Sequence, residues 1–137
     1  MTSTDENVRY TPKGKRVTYT PQSAGQSAQN VIRVLEGRWK LMILFQLFVS
    51  KLLRFSELER AIPGISQKML IQQLRQLEAD GVVTRIAHPE VPPRVEYLLT
   101  EWGQSLCPVL DNLLTWAESA PDDLRARLID PDAMSDQ

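Results

Sequence analysis

The chain has 137 residues, 42% of them hydrophobic, which suits one globular domain with terminal segments. It contains no apolar run of the roughly 20 residues needed to span a bilayer, and its acidic first residues do not resemble a secretory signal. Its single cysteine and single histidine exclude an internal disulfide and leave no plausible metal site. We therefore expect a reducing, cytoplasmic environment and no cofactor.

The net charge of −1 conceals an asymmetry along the chain. Between Arg9 and Arg94 there are 14 Lys or Arg and 6 Asp or Glu residues, a balance of +8. From Val95 onward there are 2 basic and 9 acidic residues, a balance of −7, and Asp5 and Glu6 complete the total. A basic body with an acidic last third is typical of a protein that presents one face to phosphates, although charge also fluctuates along any sequence.

Residues 1–23 are rich in Thr, Pro, Gln and Lys and lack a helical period, which predicts a flexible N-terminal arm. Lys13, Lys15 and Arg16 are candidates for DNA contact, although solvated disorder is the favoured interpretation. The alternating segment 17–20 is a candidate short strand.

The main domain is predicted over 24–120 and opens with two helices. Apolar residues recur at helical spacing from Ala24 to Leu35, and Gly37 ends this helix. The segment from Trp39 to Phe48 is apolar nearly all round, which predicts a helix in the core or in a dimer interface. A connector with a short strand follows over 51–55.

Two short helices joined by a tight turn are predicted next. The first begins near Phe55, where Ser56 and Glu59 have the spacing of a capping box. It ends before Pro63-Gly64, because a residue that precedes proline disfavours helical geometry and glycine permits a sharp turn.

Ser66 is predicted to cap the second of these helices, and Ile65 and Leu70 have the spacing of a hydrophobic staple. This helix runs to Asp80, where Gly81 supplies a left-handed end.

The β-prone segments 82–86 and 95–99, separated by a proline-rich loop over 88–93, predict a β-hairpin. Thr100 then caps a long amphipathic helix, which Pro108 should kink. Residues 121–137 form an acidic tail, either a surface helix or disordered. Helix, glycine-containing turn, helix and hairpin is the order of a winged helix-turn-helix, a mostly helical α+β fold with a two- to three-stranded antiparallel wing.

The helix after Ser66 has two chemically different sides when projected at about 100° per residue. Its apolar side holds Met69, Leu70, Leu74 and Leu77. Its opposite side holds Lys68, Gln72, Arg75 and Ala79, with Ile71 at the edge. In a recognition helix, glutamine suits adenine, arginine and lysine suit guanine, and an apolar side chain suits the thymine methyl. The alternative is an ordinary solvated helix face.

The hairpin supplies two arginines that a wing could place against phosphate or the minor groove. We favour DNA contact for Arg94 and leave Arg85 open, the alternative being pairing with Glu90 or Glu96. His88 is interpreted as a solitary surface or turn residue. Since Ser66 and the free N–H groups beside it also suit a phosphate, the predicted DNA-binding residues are Ser66, Gln67, Lys68, Ile71, Gln72, Arg75 and Arg94.

The stretches RFSELERAIPGISQKMLIQQLRQLEADGVVTR and PPRVEYLLTEWGQSLCPVLDNLLTW, with GRWKLMIL upstream, resemble the HxlR-type family of bacterial regulators, which are related to the MarR type. The resemblance extends from about Val31 to Trp116. It implies a cytoplasmic homodimer, joined by the first and last helices, that acts as a repressor or activator at a near-palindromic DNA site.

The sequence departs from this family at two positions. Several relatives have a reactive cysteine where this chain has Gln26, so cysteine sensing at that place is not expected. The only thiol, Cys107, is assigned burial near an interface rather than a redox switch. Family members usually have threonine where this chain has Ile71, which puts the base preference in doubt.

Two other functions are alternatives to DNA binding. A winged helix that binds proteins would leave the basic face without a role, and no retention on heparin or random DNA would favour it. An enzyme is unsupported, because the sequence has neither a phosphate-binding glycine loop nor a paired nucleophile and base. A small-molecule effector between wing and dimer helices is a further option. Its candidate walls are Trp39, Phe48, Trp102 and Trp116, although core packing is the favoured role for each.

Overall fold

A computed structural model of the chain describes Arg9, Thr11, Pro12, Gly14 and residues 16–134, the last of these by its backbone alone. The candidate DNA contacts Lys13 and Lys15 lie outside the described residues. The elements are α1 (Pro21–Leu35), α2 (Lys40–Ser50), β1 (Leu52–Arg54), α3 (Phe55–Ala61), α4 (Gln67–Ala79), β2 (Val83–His88), β3 (Arg94–Leu99), α5 (Glu101–Gln104), α6 (Leu106–Glu118), α7 (Asp122–Leu128) and α8 (Pro131–Met134).

The strands form one antiparallel sheet in the order β1-β3-β2. The hairpin of β2 and β3 confirms the predicted wing, and β1 extends it by pairing Arg54 opposite Glu96. Strand β2 is longer than expected, because it continues to His88, which pairs with Arg94. His88 is therefore a strand residue, and the prediction that placed it in the loop is wrong.

The core lies between α2, the α3–α4 pair and the inner side of the sheet. Trp39 belongs to it, as the sequence suggested, and its ring is covered by the Arg38 guanidinium at 4.3 Å. The fully enclosed side chains come from every layer: Ile43, Leu44, Leu47, Leu58, Ile62, Leu70, Leu74, Leu77, Val82 and Val83. Burial of apolar surface contributes about 25 cal/mol of stabilising free energy per Å², and this burial fixes α4 against the rest of the domain.

Helix α1 begins at Pro21, three residues before the predicted start. Thr20 Oγ1 accepts the Ser23 N–H at 3.1 Å, and Ser23 Oγ accepts the Thr20 N–H at 3.0 Å, which is a complete capping box. Pro21 suits the first helical position, where no backbone donor is needed. The strand expected over 17–20 is absent: of these described residues only Tyr19 forms an isolated bridge.

Helix α3 begins at Phe55 as predicted, but its N-cap residue differs from prediction. Arg54 is its N-cap, and the Glu57 carboxylate accepts the Arg54 N–H at 2.7 Å. Ser56 already lies inside the helix, so the Ser56–Glu59 capping box is wrong. The reason is that β1 runs directly into α3, so the last strand residue, Arg54, is the N-cap in place of Ser56.

The turn between α3 and α4 agrees with prediction. Gly64 has φ +87°, a conformation that glycine adopts without steric cost. Ser66 then caps α4, since its Oγ accepts the Met69 N–H at 3.0 Å. At the other end Gly81 has φ +80°, the left-handed geometry of a helix end.

The long last helix is divided into α5 and α6 at Ser105. Pro108 lies in the first turn of α6, where its missing N–H leaves the Gln104 carbonyl without a helical partner, so the break precedes the proline. Residues 122–128 and 131–134 are helical, which favours the surface-helix interpretation of the tail. No helix in the described part of the chain is long and apolar enough to cross a membrane.

The junction between β2 and the last helices is tight. Thr100 Oγ1 donates to the Gly81 carbonyl at 2.7 Å, and the Thr100 N–H donates to the Val82 carbonyl at 3.0 Å. Gly103 packs so closely that a Cβ there would overlap the Val82 carbonyl oxygen. The end of α4 is thus fixed to the start of α5.

Candidate nucleic-acid interface

The outer side of α4 carries the predicted polar surface. Leu70, Leu74 and Leu77 are buried, whereas Lys68 and Arg75 are exposed. Neither cation has an ion pair within the described residues. We call this surface the α4 face and define it by Gln67, Lys68, Ile71, Gln72 and Arg75. Its cations are fully available to an anionic partner.

A groove of about 910 Å³ separates the α4 face from the wing. It is lined by four arginines and two carboxylates: Arg54, Arg75, Arg85, Arg94, Glu78 and Glu90. The arginines come from β1, α4, β2 and β3, so the fold gathers charges that are distant in sequence. Of the predicted contacts, the groove brings together Gln67, Ile71, Arg75 and Arg94. Lys68 and Gln72 lie on the adjoining outer surface of α4.

The wing carries an ion cluster, which we define as His88, Glu90, Arg94 and Glu96. Arg94 Nη2 lies 2.9 Å from Glu90 Oε1, and Arg94 Nη1 lies 3.8 Å from Glu96 Oε2. His88 Nε2 lies 2.6 Å from Glu96 Oε1. The geometry therefore shows the acid-paired alternative for Arg94 in the free chain. It also corrects the interpretation of His88 as solitary.

Glu96 is held in its charged form by these neighbours. The hydrogen bond with His88 lowers the pKa of the Glu96 carboxyl below its ordinary value of 4.5, and the charges of Arg94 and Arg54 act in the same direction. Partial burial opposes them without reversing the shift. Near neutral pH the wing thus has a fixed anion in contact with Arg94.

Two groove residues are not among the predicted DNA contacts. The sequence places Arg54 in a connector, and its position in the groove follows from the pairing of β1 with β3. Arg85, for which the sequence does not decide between DNA and an acidic partner, is exposed and has no ion pair in the described ranges. A sequence signal for Arg54 does exist, since it directly precedes the first helix of the pair.

The candidate effector-site walls and the two positions considered for cysteine chemistry lie apart from the groove. Phe48 is half-buried and meets Phe45 edge to face at 5.5 Å, whereas Trp102 and Trp116 are 62% and 71% exposed. The prediction that Trp102 and Trp116 pack in the core is therefore wrong for a single chain. Gln26 is exposed and donates to Asn30, and Cys107 is half-buried at the start of α6.

Comparison with known proteins identifies the family. Residues 34–124 match the HxlR-like helix-turn-helix family. The chain belongs to it. The chain is 52% identical over 90 residues to the HTH-type transcriptional regulator YtcD of Bacillus subtilis, covering 66% of this chain and 71% of that protein. HxlR-like proteins are transcriptional regulators, and this chain is accordingly a DNA-binding regulator with a winged helix-turn-helix fold.

Solved structures agree with this membership. The redox regulator HypR in its reduced form superposes with a TM-score of 0.65 at 40% identity, covering 73% of this chain and 98% of that one. A regulator of the MarR family from Enterococcus faecalis gives a TM-score of 0.66 at 38% identity, covering 77% and 93%. These likenesses cover about three quarters of the chain, and with the family match they confirm the resemblance inferred from the sequence.

Proposed function

We propose that this HxlR-like regulator acts in the cytoplasm as a homodimer that binds a near-palindromic operator and represses transcription by occupying it. The observation that carries the proposal is the α4 face, whose cations have no ion pair among the described residues and lie beside a groove lined by arginines. A recognition helix places its N-terminal part in the major groove, and Ser66 to Arg75 form that part of α4.

The proposed contact surface keeps every predicted residue and adds the two arginines that the fold brings to the groove. Lys68 and Arg75 approach the DNA with free charges, whereas Arg94 must first exchange its carboxylates for phosphate. Arg85 is the wing cation that can bind without this exchange. The complete set is Ser66, Gln67, Lys68, Ile71, Gln72, Arg75 and Arg94, with Arg54 and Arg85.

Exposed apolar side chains on the first and last helices support the dimer. All of α1 is described, and none of its residues is buried. Of the described residues of α6, Leu110 alone is buried. The exposed set is Val31, Ile32, Trp102, Val109, Leu113, Leu114 and Trp116. A surface with this many large apolar groups marks a protein interface, and a second copy would cover it symmetrically.

Selection of bound sequences from a random duplex pool tests the proposal. We expect an enriched sequence with two-fold symmetry and half-site centres about 10–10.5 bp apart, because two recognition helices then meet successive major grooves. Affinity should also fall steeply with salt. An enriched sequence without symmetry would contradict the dimeric operator, and a pool without enrichment would contradict specific binding.

The dimer has its own test in sedimentation equilibrium. Leu113→Glu buries a charge in the proposed interface and should yield a monomer, since an unpaired buried carboxylate is strongly destabilising. Val91→Glu is the matched control, because Val91 is fully exposed at the wing tip and outside the apolar face. A Leu113→Glu protein that remains dimeric would show that α6 is not the interface. The effector site predicted from the sequence stays a prediction.

A further inference from the structure

Ile71 is an apolar side chain in the middle of a polar surface. It is half-buried on α4, one helical turn after Gln67 and one before Arg75, so the three side chains form a row along the helix. Ile71 lines both the groove beside the wing and the shallow depression on the outer side of α4. It therefore lies on the ridge that would face the bases.

Core packing does not account for this isoleucine. Met69, on the other flank of α4, packs against the hydrophobic core. Ile71 is in neither the core nor the group of half-buried side chains packed against it, as far as the described residues show. Its partly exposed apolar surface faces the region that the proposed function assigns to DNA. An apolar group there gains stability only from an apolar partner.

The major groove offers one apolar group on the edges of the bases, the C5-methyl of thymine. Cytosine has no methyl at this position, and the purines present hydrogen-bonding atoms there. Gln67 and Arg75 supply polar groups on both sides of Ile71, so the row has an apolar centre between hydrogen-bonding neighbours. Base recognition by such a row requires a methyl opposite its centre.

We propose that Ile71 determines operator specificity by contacting the C5-methyl of one thymine in each half-site. This inference rests on the proposed function, since it names the base that the same surface reads. Burial of one methyl-sized group corresponds to about a fourfold change in affinity. A symmetric operator contains two such contacts, so the effect over both half-sites is roughly 15-fold.

Replacement of thymine by deoxyuridine tests the contact, because it removes the methyl and leaves the base pair otherwise unchanged. Each thymine of the selected operator is replaced in turn, symmetrically in both half-sites. Binding to wild type, Ile71→Ala and Ile71→Val is measured by fluorescence anisotropy. Gln76→Ala serves as the matched control, since Gln76 is exposed and lines the same depression on α4 but lies outside the row of Gln67, Ile71 and Arg75.

At one thymine position, replacement by deoxyuridine is expected to lower the affinity of wild type roughly 15-fold and to leave the affinity of Ile71→Ala unchanged. Ile71→Val should show a smaller loss at the same position, and Gln76→Ala the full loss. If an operator is enriched but every replacement lowers the affinities of wild type and Ile71→Ala equally, the inference is overturned and the proposed function stands. A pool without enrichment overturns both. Circular dichroism and unchanged binding to random DNA verify that the variants fold.

Discussion

The α4 face and the wing both present cations to the same groove, but they hold these charges differently. Lys68 and Arg75 on α4 have no acidic partner among the described residues. On the wing, Arg94 lies between Glu90 and Glu96, and Glu96 also binds His88. The helix is therefore ready for phosphate or bases, whereas the wing must first break ion pairs of its own.

Proximity to the groove therefore does not by itself measure a residue's contribution to binding. A free cation releases counterions from DNA when it binds, and that release supplies most of the salt-dependent affinity. A cation already neutralised by carboxylates gains less, because it exchanges one anionic partner for another. The α4 face should accordingly dominate affinity, and the wing should modulate it.

The largest effect is expected from removing the free cations of α4. In the variant carrying Lys68→Ala and Arg75→Ala, the slope of log affinity against log salt should fall by about 3 to 4 for a dimer. Each of the two copies loses two cations that can neutralise phosphates. Arg75→Ala alone should cost about 1–3 kcal/mol per half-site and relax one base position. Filter binding to operator and random duplexes measures both.

A matched control removes the same charge from α7. Arg125→Ala with Arg127→Ala lowers the net charge equally, but both residues lie in the acidic C-terminal segment and line neither described groove. We expect little change in the salt slope for this control. Equal loss in both double variants would mean that total charge, not the α4 face, governs binding. Equal weakening by Arg75→Ala on all sequences would instead mark a phosphate contact.

A smaller effect should separate the two wing arginines. Arg85→Ala is expected to reduce the salt slope by about 2 for a dimer, because each copy loses a cation that has no ion pair in the part of the chain the structure describes. Arg94→Ala should change the slope less, since its charge is already matched by Glu90 and Glu96. The slope is the informative quantity, because unpaired carboxylates left by Arg94→Ala repel DNA at any fixed salt. A larger slope change for Arg94→Ala would show that Arg94 contributes more than Arg85 to the salt-dependent affinity.

Partial release of Arg94 should raise affinity modestly. Glu90→Gln removes the carboxylate nearest to Arg94, whose Oε1 lies 2.9 Å from Arg94 Nη2, so binding to random duplex at low salt should strengthen by roughly 3–10-fold. Glu78→Gln is the control, because it removes the same charge from the groove and has no ion pair in the described part of the chain. Equal gains from both would show that net charge alone matters.

The smallest effect is a pH dependence of wing stability. The pKa of Glu96 is lowered in the fold, chiefly by the His88 hydrogen bond, so the carboxylate stabilises the fold above its unfolded pKa. That stabilisation is lost as pH falls through the lowered value. Between about pH 6 and about pH 3, the Tm of wild type should therefore fall more than the Tm of Glu96→Gln. Parallel curves would contradict a contribution from this pair.

Local chemistry made much of the fold predictable. Gly64, Ser66 and Gly81 each set a backbone geometry that depends on their own side chain or its absence, so the turn and both ends of α4 were predicted correctly. The apolar period of α4 likewise predicted which of its sides is buried. Such features need no knowledge of distant residues.

Contacts between distant segments account for the errors. The pairing of β1 with β3 made Arg54 the N-cap of α3 and brought it opposite Glu96, and neither follows from the short-range pattern. The same holds for His88, whose partner is set by the hairpin register. Trp102 and Trp116 looked like core residues because a helical apolar stripe does not state whether its cover comes from the same chain or from another.

The junction of Thr100 and Gly103 with Gly81 and Val82 has a consequence for how two copies would hold DNA. The close packing of Gly103 against the Val82 backbone keeps the last helices from sliding past the end of α4, and two hydrogen bonds made by Thr100 hold them together. A change in the angle at which two α6 helices cross would therefore rotate α4 and the wing of each copy as a rigid unit. The distance between the two α4 helices, and with it the half-site spacing that the dimer can bind, would be set at the subunit interface.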